Sequence, residues 1–91
     1  MTSPTVSTDT MTAIVMTPEA VEWQGAISSL ESVNSDGPFS VWPDHTRFIT
    51  IINNEPITMY FPDGSNNVFT YHEAVLVVDD NAVTIFIHTD E

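Results

Sequence analysis

Apolar residues recur at every second position along most of this chain, the spacing of a strand with one buried face. Val21, Trp23, Gly25 and Ile27 keep that period, and Val68, Thr70 and His72 alternate with Phe69, Tyr71 and Glu73. Five shorter runs complete the pattern: Ala13-Ile14-Val15-Met16, Phe48 to Ile52, Ile57 to Phe61, Ala74 to Val78 and Val83 to Ile87. Each is bounded by turn chemistry. Thr17-Pro18-Glu19 stops the first, because Pro18 brings no ladder donor. Asn34-Ser35-Asp36-Gly37, Asn53-Asn54-Glu55-Pro56 and the Pro62–Asn67 loop separate the middle ones, and Asp79-Asp80-Asn81 predicts a tight terminal hairpin. The parity slips at Ser28-Ser29-Leu30, which predicts a β-bulge or a bend from one sheet to another. No segment carries a helical apolar stripe.

Short strands at regular spacing predict an all-β domain, an antiparallel β-sandwich or flattened barrel of roughly seven to nine strands. Residues 1–10, MTSPTVSTDT, carry no apolar period and read as a disordered N-terminal tail ahead of one domain over 11–91. Met11 is a candidate for the natural start.

Composition narrows the function. Of 91 residues, 42% are apolar, enough for one core. Thirteen acids face the single basic residue Arg47, giving a net charge of −12. One arginine cannot track a phosphate backbone, so nucleic acid is excluded as a partner. A solvated acidic surface is the plain reading; a basic partner or a cation-rich medium also suits it. There is no cysteine, hence no disulfide framework and no thiol nucleophile. No leader pattern or membrane-length apolar run is seen, so a soluble intracellular protein without membrane insertion is expected.

The candidate chemistry is sparse. His45, His72 and His88 stand alone in sequence, so no metal motif is read, and no metal or cofactor is expected. Asp63-Gly64-Ser65-Asn66-Asn67 opens like a calcium loop, but Val68 and Ala74 occupy the positions that need Gly and Glu. No serine sits in a nucleophile elbow, and no glycine-rich phosphate loop occurs. No catalytic residue or small-molecule substrate is therefore assigned. What stands out is Gly37-Pro38-Phe39-Ser40-Val41-Trp42-Pro43-Asp44-His45, which reads neither as a strand nor as an ordinary polar turn. Two prolines stiffen it. Its aromatics have two readings, a plug in the core or a preorganised edge for a partner.

That stretch also carries a family likeness. Residues 11–88 resemble the N-terminal β-sandwich of the epsilon subunit of F-type ATP synthases, called delta in mitochondria. Met16-Thr17-Pro18-Glu19 is similar to the family's first turn, and Val21-Glu22-Trp23-Gln24-Gly25-Ala26-Ile27 to the strand after it. Gly37–His45 fits the family's Gly-x-Phe/Leu-Gly-Ile-Leu/Tyr-Pro-Gly-His loop without a gap. Leu76–Ile85 resembles its last hairpin. Ser40 and Asp44 stand where the family has glycines, Arg47 where proline is frequent, and Glu73-Ala74 where a Gly-Gly pair is usual.

The resemblance implies a non-catalytic rotor subunit of the central stalk, coupling the gamma subunit to the ring of membrane c subunits in proton- or sodium-driven ATP synthesis. It implies a peripheral place on the cytoplasmic side of an energy-transducing membrane. Carried over by position, Asp36, Pro38, Ser40, Trp42 and His45 are the candidates for contact with the c-ring and gamma, and Thr17 lies in the gamma-facing turn. The family's inhibitory C-terminal helical hairpin has no counterpart up to Glu91, so an inhibitory role is not expected. Two other readings stand beside this one: an unrelated small acidic β-sandwich adaptor, and a cation-binding or small hydrolytic domain using His72, Glu73 and nearby acids.

Overall fold

A computed structural model describes residues 10–43 and 47–88. They form nine strands: β1 (Met11–Met16), β2 (Val21–Ile27), β3 (Ser29–Asn34), β4 (Gly37–Val41), β5 (Phe48–Asn53), β6 (Pro56–Tyr60), β7 (Asn66–Thr70), β8 (Glu73–Asp79) and β9 (Ala82–His88). Two sheets face each other, one ordered β2-β1-β9-β8-β5 and the other β4-β3-β6-β7. The domain is an all-β sandwich. Among the described residues the one parallel pair is β1 with β9, where Thr12 to Met16 lie opposite Ala82 to Phe86. Parallel neighbours need a long crossover, and here everything between the first and last strands supplies it.

The parity slip at Ser28 is the bend that moves the chain between sheets. β2 ends at Ile27 in the first sheet and β3 begins at Ser29 in the second. Ser28 fixes the corner, its N–H and hydroxyl both donating to the Tyr60 carbonyl at 2.7 and 3.1 Å.

The core is the two inner faces meeting. Ala13 and Val15 of β1, Leu76 and Val78 of β8, and Val83 and Ile85 of β9 are buried from the five-stranded side. Leu30, Val41, Ile57 and Met59 meet them from the other. Half-buried aromatics pack against this core. Among them Trp23 lies 5.8 Å from Phe61, and Phe69 stacks on Tyr71 at 6.0 Å.

Two sequence expectations are corrected. Gly37–Val41 is a strand, paired with β3 from Leu30↔Val41 to Asn34↔Gly37. Its alternation was masked because aromatic, proline and small residues share it. Phe39 and Val41 point inward while Pro38 and Ser40 are exposed. The alternating run Val68–Glu73 is likewise two elements. β7 ends at Thr70 and β8 starts at Glu73, because the Tyr71 and His72 carbonyls leave the ladder to accept from the Asn54 N–H, both at 3.1 Å. Asn54 itself turns with φ 54°, a conformation asparagine tolerates.

Leu76 is fully buried on β8. Leu76→Ala is expected to cost about 2–5 kcal/mol of folding stability, read as a lowered urea midpoint at unchanged slope.

Candidate functional site

Four of the candidate contact residues, Asp36, Pro38, Ser40 and Trp42, are brought together by strand parity. β4 is an edge strand of the four-stranded sheet, a place where a proline such as Pro38 fits. Gly37, Phe39 and Val41 turn toward the interior, with Val41 fully buried and Phe39 edge-on to Phe48 at 5.5 Å. Asp36, Pro38, Ser40 and Trp42 are all exposed and share the opposite parity. Part of the aromatic stretch thus plugs the core, while Trp42, 57% exposed, is presented to solvent.

The hairpin that aims this strand is built locally. Asn34 and Gly37 face each other across a two-residue turn, and the Asp36 N–H donates to Asn34 Oδ1 at 2.9 Å. Asn34 Nδ2 donates to Thr50 Oγ1 at 2.9 Å, which ties the hairpin to β5 of the other sheet. Gly37 adopts φ 117°, open to glycine and strained for any other residue. Ser40 needs no such freedom, since it lies in extended β4, which explains how serine replaces a family glycine there.

Neighbouring strands extend the face. Ser40 lies opposite Glu31, and Glu31 opposite Thr58; Pro38 lies opposite Val33. These residues and Pro56 line a shallow groove of about 560 Å³. Glu31 is the feature that family-loop reasoning missed; its odd-numbered place on β3 is the signal that could have found it. Its Oε1 accepts from the Tyr60 hydroxyl at 3.2 Å. That hydrogen bond, then the carboxylate charge, then slight desolvation hold the Tyr60 phenol above its ordinary value.

Thr17 stands apart, in the β1–β2 turn of the five-stranded sheet. Its side chain is buried and occupied: Oγ1 accepts from the N–H groups of Glu19 at 3.2 Å and Ala20 at 3.1 Å. The Thr17 N–H donates to the Ala20 carbonyl at 2.8 Å, closing the turn. His45 lies outside the described residues, as does Asp44. His72 is exposed between β7 and β8, and Glu73 faces His88 across β8 and β9. Among the described residues no three His, Asp or Glu side chains are grouped to hold a metal. Arg47 pairs with Asp79 at 3.3 Å in a solvent-exposed bridge worth about 0–1 kcal/mol.

Comparison with known proteins decides the family. The model of the ATP synthase delta/epsilon chain β-sandwich domain matches residues 10–91. This chain belongs to that family. Curated relatives include the ATP synthase epsilon chain of Nitratiruptor sp., 25% identical over 79 residues that make up 87% of this chain and 61% of the relative. The ATP synthase epsilon chain of Psychrobacter cryohalolentis is 31% identical over 67 residues, 74% of this chain and 49% of that one. The fold recurs in a chain of the Tetrahymena thermophila mitochondrial ATP synthase central stalk and c-ring, with TM-score 0.70 and 13% identity over 87% of this chain and 63% of that one. It recurs again in a chain of the Euglena gracilis mitochondrial ATP synthase, solved as OSCP, F1 and c-ring, with TM-score 0.79 and 11% identity over 86% and 50% of the two chains. The chain thus spans about half to three-fifths of the curated relatives it matches.

Two measurements separate contact from scaffold. Thr17→Val strands two N–H groups and is expected to cost about 1–3 kcal/mol in chemical denaturation, while Thr17→Ser keeps most of the stability. Stability drawn from the Glu31–Tyr60 bond is complete below the ordinary tyrosine range and disappears as pH rises through the raised Tyr60 value. Glu31→Gln should remove that alkaline loss and bring the tyrosinate absorbance midpoint down toward about 10.

Proposed function

We propose that this chain is a non-catalytic rotor component of an F-type ATP synthase central stalk, joining the gamma subunit to the c-ring in proton- or sodium-driven synthesis. The observation that carries the reading is the family match over 10–91; the resemblance read from the sequence carries the contact candidates onto the outward side of β4 and its flanks. Asp36, Pro38, Ser40 and Trp42 share that face, and His45 follows in sequence. An exposed tryptophan held directly after β4, between Val41 and Pro43, loses little freedom on docking and can supply much of the binding energy. Glu31 and Asp36 make the face acidic, so a basic surface on gamma or on the ring's polar loops complements it.

The chemistry assigned is mechanical coupling. A sandwich transmits torque if it holds its shape, and the two-sheet core with its ties from Asn34 to Thr50 and Ser28 to Tyr60 provides that stiffness. The described residues form no helix, so an inhibitory helical role is not assigned to them. The subunit sits peripherally, on the cytoplasmic side of the membrane that houses the ring. No helix among the described residues is long and apolar enough to cross it.

The test is reconstitution with the gamma subunit and c-ring from the same source. Trp42→Ala should weaken capture of this chain by tenfold or more, about 1.4 kcal/mol or above, while its thermal midpoint stays nearly unchanged. Unaltered capture by a folded Trp42→Ala, Pro38→Ala double variant would reject β4 as the contact face.

A further inference from the structure

One sheet edge, β7, is left open with nothing to blunt it. Among the described residues the two sheets end in β2 and β5, and in β4 and β7. β2 carries Glu22 and a register slip beside Met16, and Pro38 removes a donor from β4. β5 is tied to the β3–β4 hairpin through Thr50 and through Phe48, which meets Phe39 edge-on. β7 has no proline, no charge and no register slip, and four of its five residues are exposed. From Ser65 to His72 the chain holds neither acid nor base, counting His72 as neutral, so all thirteen acids lie elsewhere.

The register tells which backbone groups of β7 are free. Pro56 lies opposite Thr70 and has no N–H, while the Phe61 N–H donates to the Ser65 carbonyl at 2.9 Å. Bonded and non-bonded pairs alternate along an antiparallel ladder, so Ser65, Asn67 and Phe69 bond toward β6. Asn66, Val68 and Thr70 therefore turn their N–H and C=O groups the other way, into solvent.

That row is its own complement. A two-fold axis through Val68, perpendicular to the sheet, sets a second β7 antiparallel to the first. Asn66 then meets the partner's Thr70, Val68 the partner's Val68, and Thr70 the partner's Asn66, each pair exchanging both N–H···O=C bonds. The rotation keeps inner sides together. Phe69, half-buried against the core, comes to lie opposite the partner's Asn67, and Val68, 58% exposed, packs on its own copy outside. A charged peptide gains nothing from a neutral strip, whereas a second copy matches it in length, spacing and charge. The opposing force is the −12 of each chain, which repels at low salt. The nearest acids, Asp63 and Glu73, lie beyond the two ends of the strip. We propose that β7 is a homodimerisation edge, where two copies join antiparallel about Val68 into one continuous sheet as salt screens their charge. The inference rests on the fold and not on the rotor reading, and β4, the far edge of the same sheet, stays free in the dimer.

Sedimentation equilibrium of the full chain between about 0.05 and 1 M NaCl tests it, since screening shortens from above about 10 Å to about 3 Å over that range. Dimers should form with rising concentration, and their dissociation constant should fall tenfold or more from the low to the high salt. Hydrogen exchange supplies the signature. The amides of Asn66, Val68 and Thr70 should slow on dimerisation, while those of Asn67 and Phe69, bonded to β6 in either state, keep their rates. Val68→Pro removes an N–H that β6 does not use, so the monomer should stay folded while the dimer weakens tenfold or more. If that variant fails to fold, Val68→Glu, which sets like charges directly opposite, takes its place with the same loss expected. The proposal is overturned if the chain stays monomeric to about 1 mM at high salt, if protection falls on another strand, or if affinity survives these substitutions. Trp42→Ala should leave the dimer unchanged, so failure here leaves the rotor assignment standing, and the reverse.

Discussion

The pairing of β1 with β9 holds this domain together. It joins the first strand to the last and makes β9 the middle of the five-stranded sheet. The Thr12 N–H extends the connection to the Asn81 carbonyl at 2.9 Å, in the turn that leads into β9. Without this pairing β1 and β2 would form an isolated hairpin, too small to be stable alone. With it, Ala13 and Val15 are buried beside Val83 and Ile85, and the sheet is wide enough to cover the other one. Every later feature, including the direction in which β4 presents its face, rests on that closed layer.

A net charge of −12 sets the opposing force. With one arginine, already bridged to Asp79, self-repulsion is relieved mainly by distance and solvent. Alternating strands place the acids of the described residues outside the core, while the inner faces are almost wholly aliphatic. Two of the buried polar side chains are satisfied by backbone groups. Ser32 donates to the Pro56 carbonyl at 2.9 Å, and Thr17 closes its own turn. The two outer surfaces then diverge, one carrying Trp42 and Glu31, the other a mostly apolar row that includes Ile51, Phe86 and Val21.

Much of the fold was legible in the residues. Strand count, hairpin turns and the corner at Ser28 follow from a period of two and from Gly, Pro, Asn and Asp at the breaks. The β4 strand was hidden because Pro38 and Ser40 look like loop residues until an edge position is known. The contact candidates came from a family pattern, and their common face was not read from sequence. Glu31 was missed because its role depends on a neighbour, Tyr60, 29 positions away.

The sequence by itself determined the class of fold, the positions of most strands and turns, and the absence of thiol chemistry. These depend on local periodicity and on counts, which need no partner to be known. Tertiary structure alone decided which strands are neighbours. The parallel β1–β9 pair, the Ile51-to-Val21 row and the Asn34–Thr50 tie all join residues far apart in the chain. Nothing in a local pattern encodes such pairings, because they are selected by the burial and hydrogen bonding of the whole domain at once.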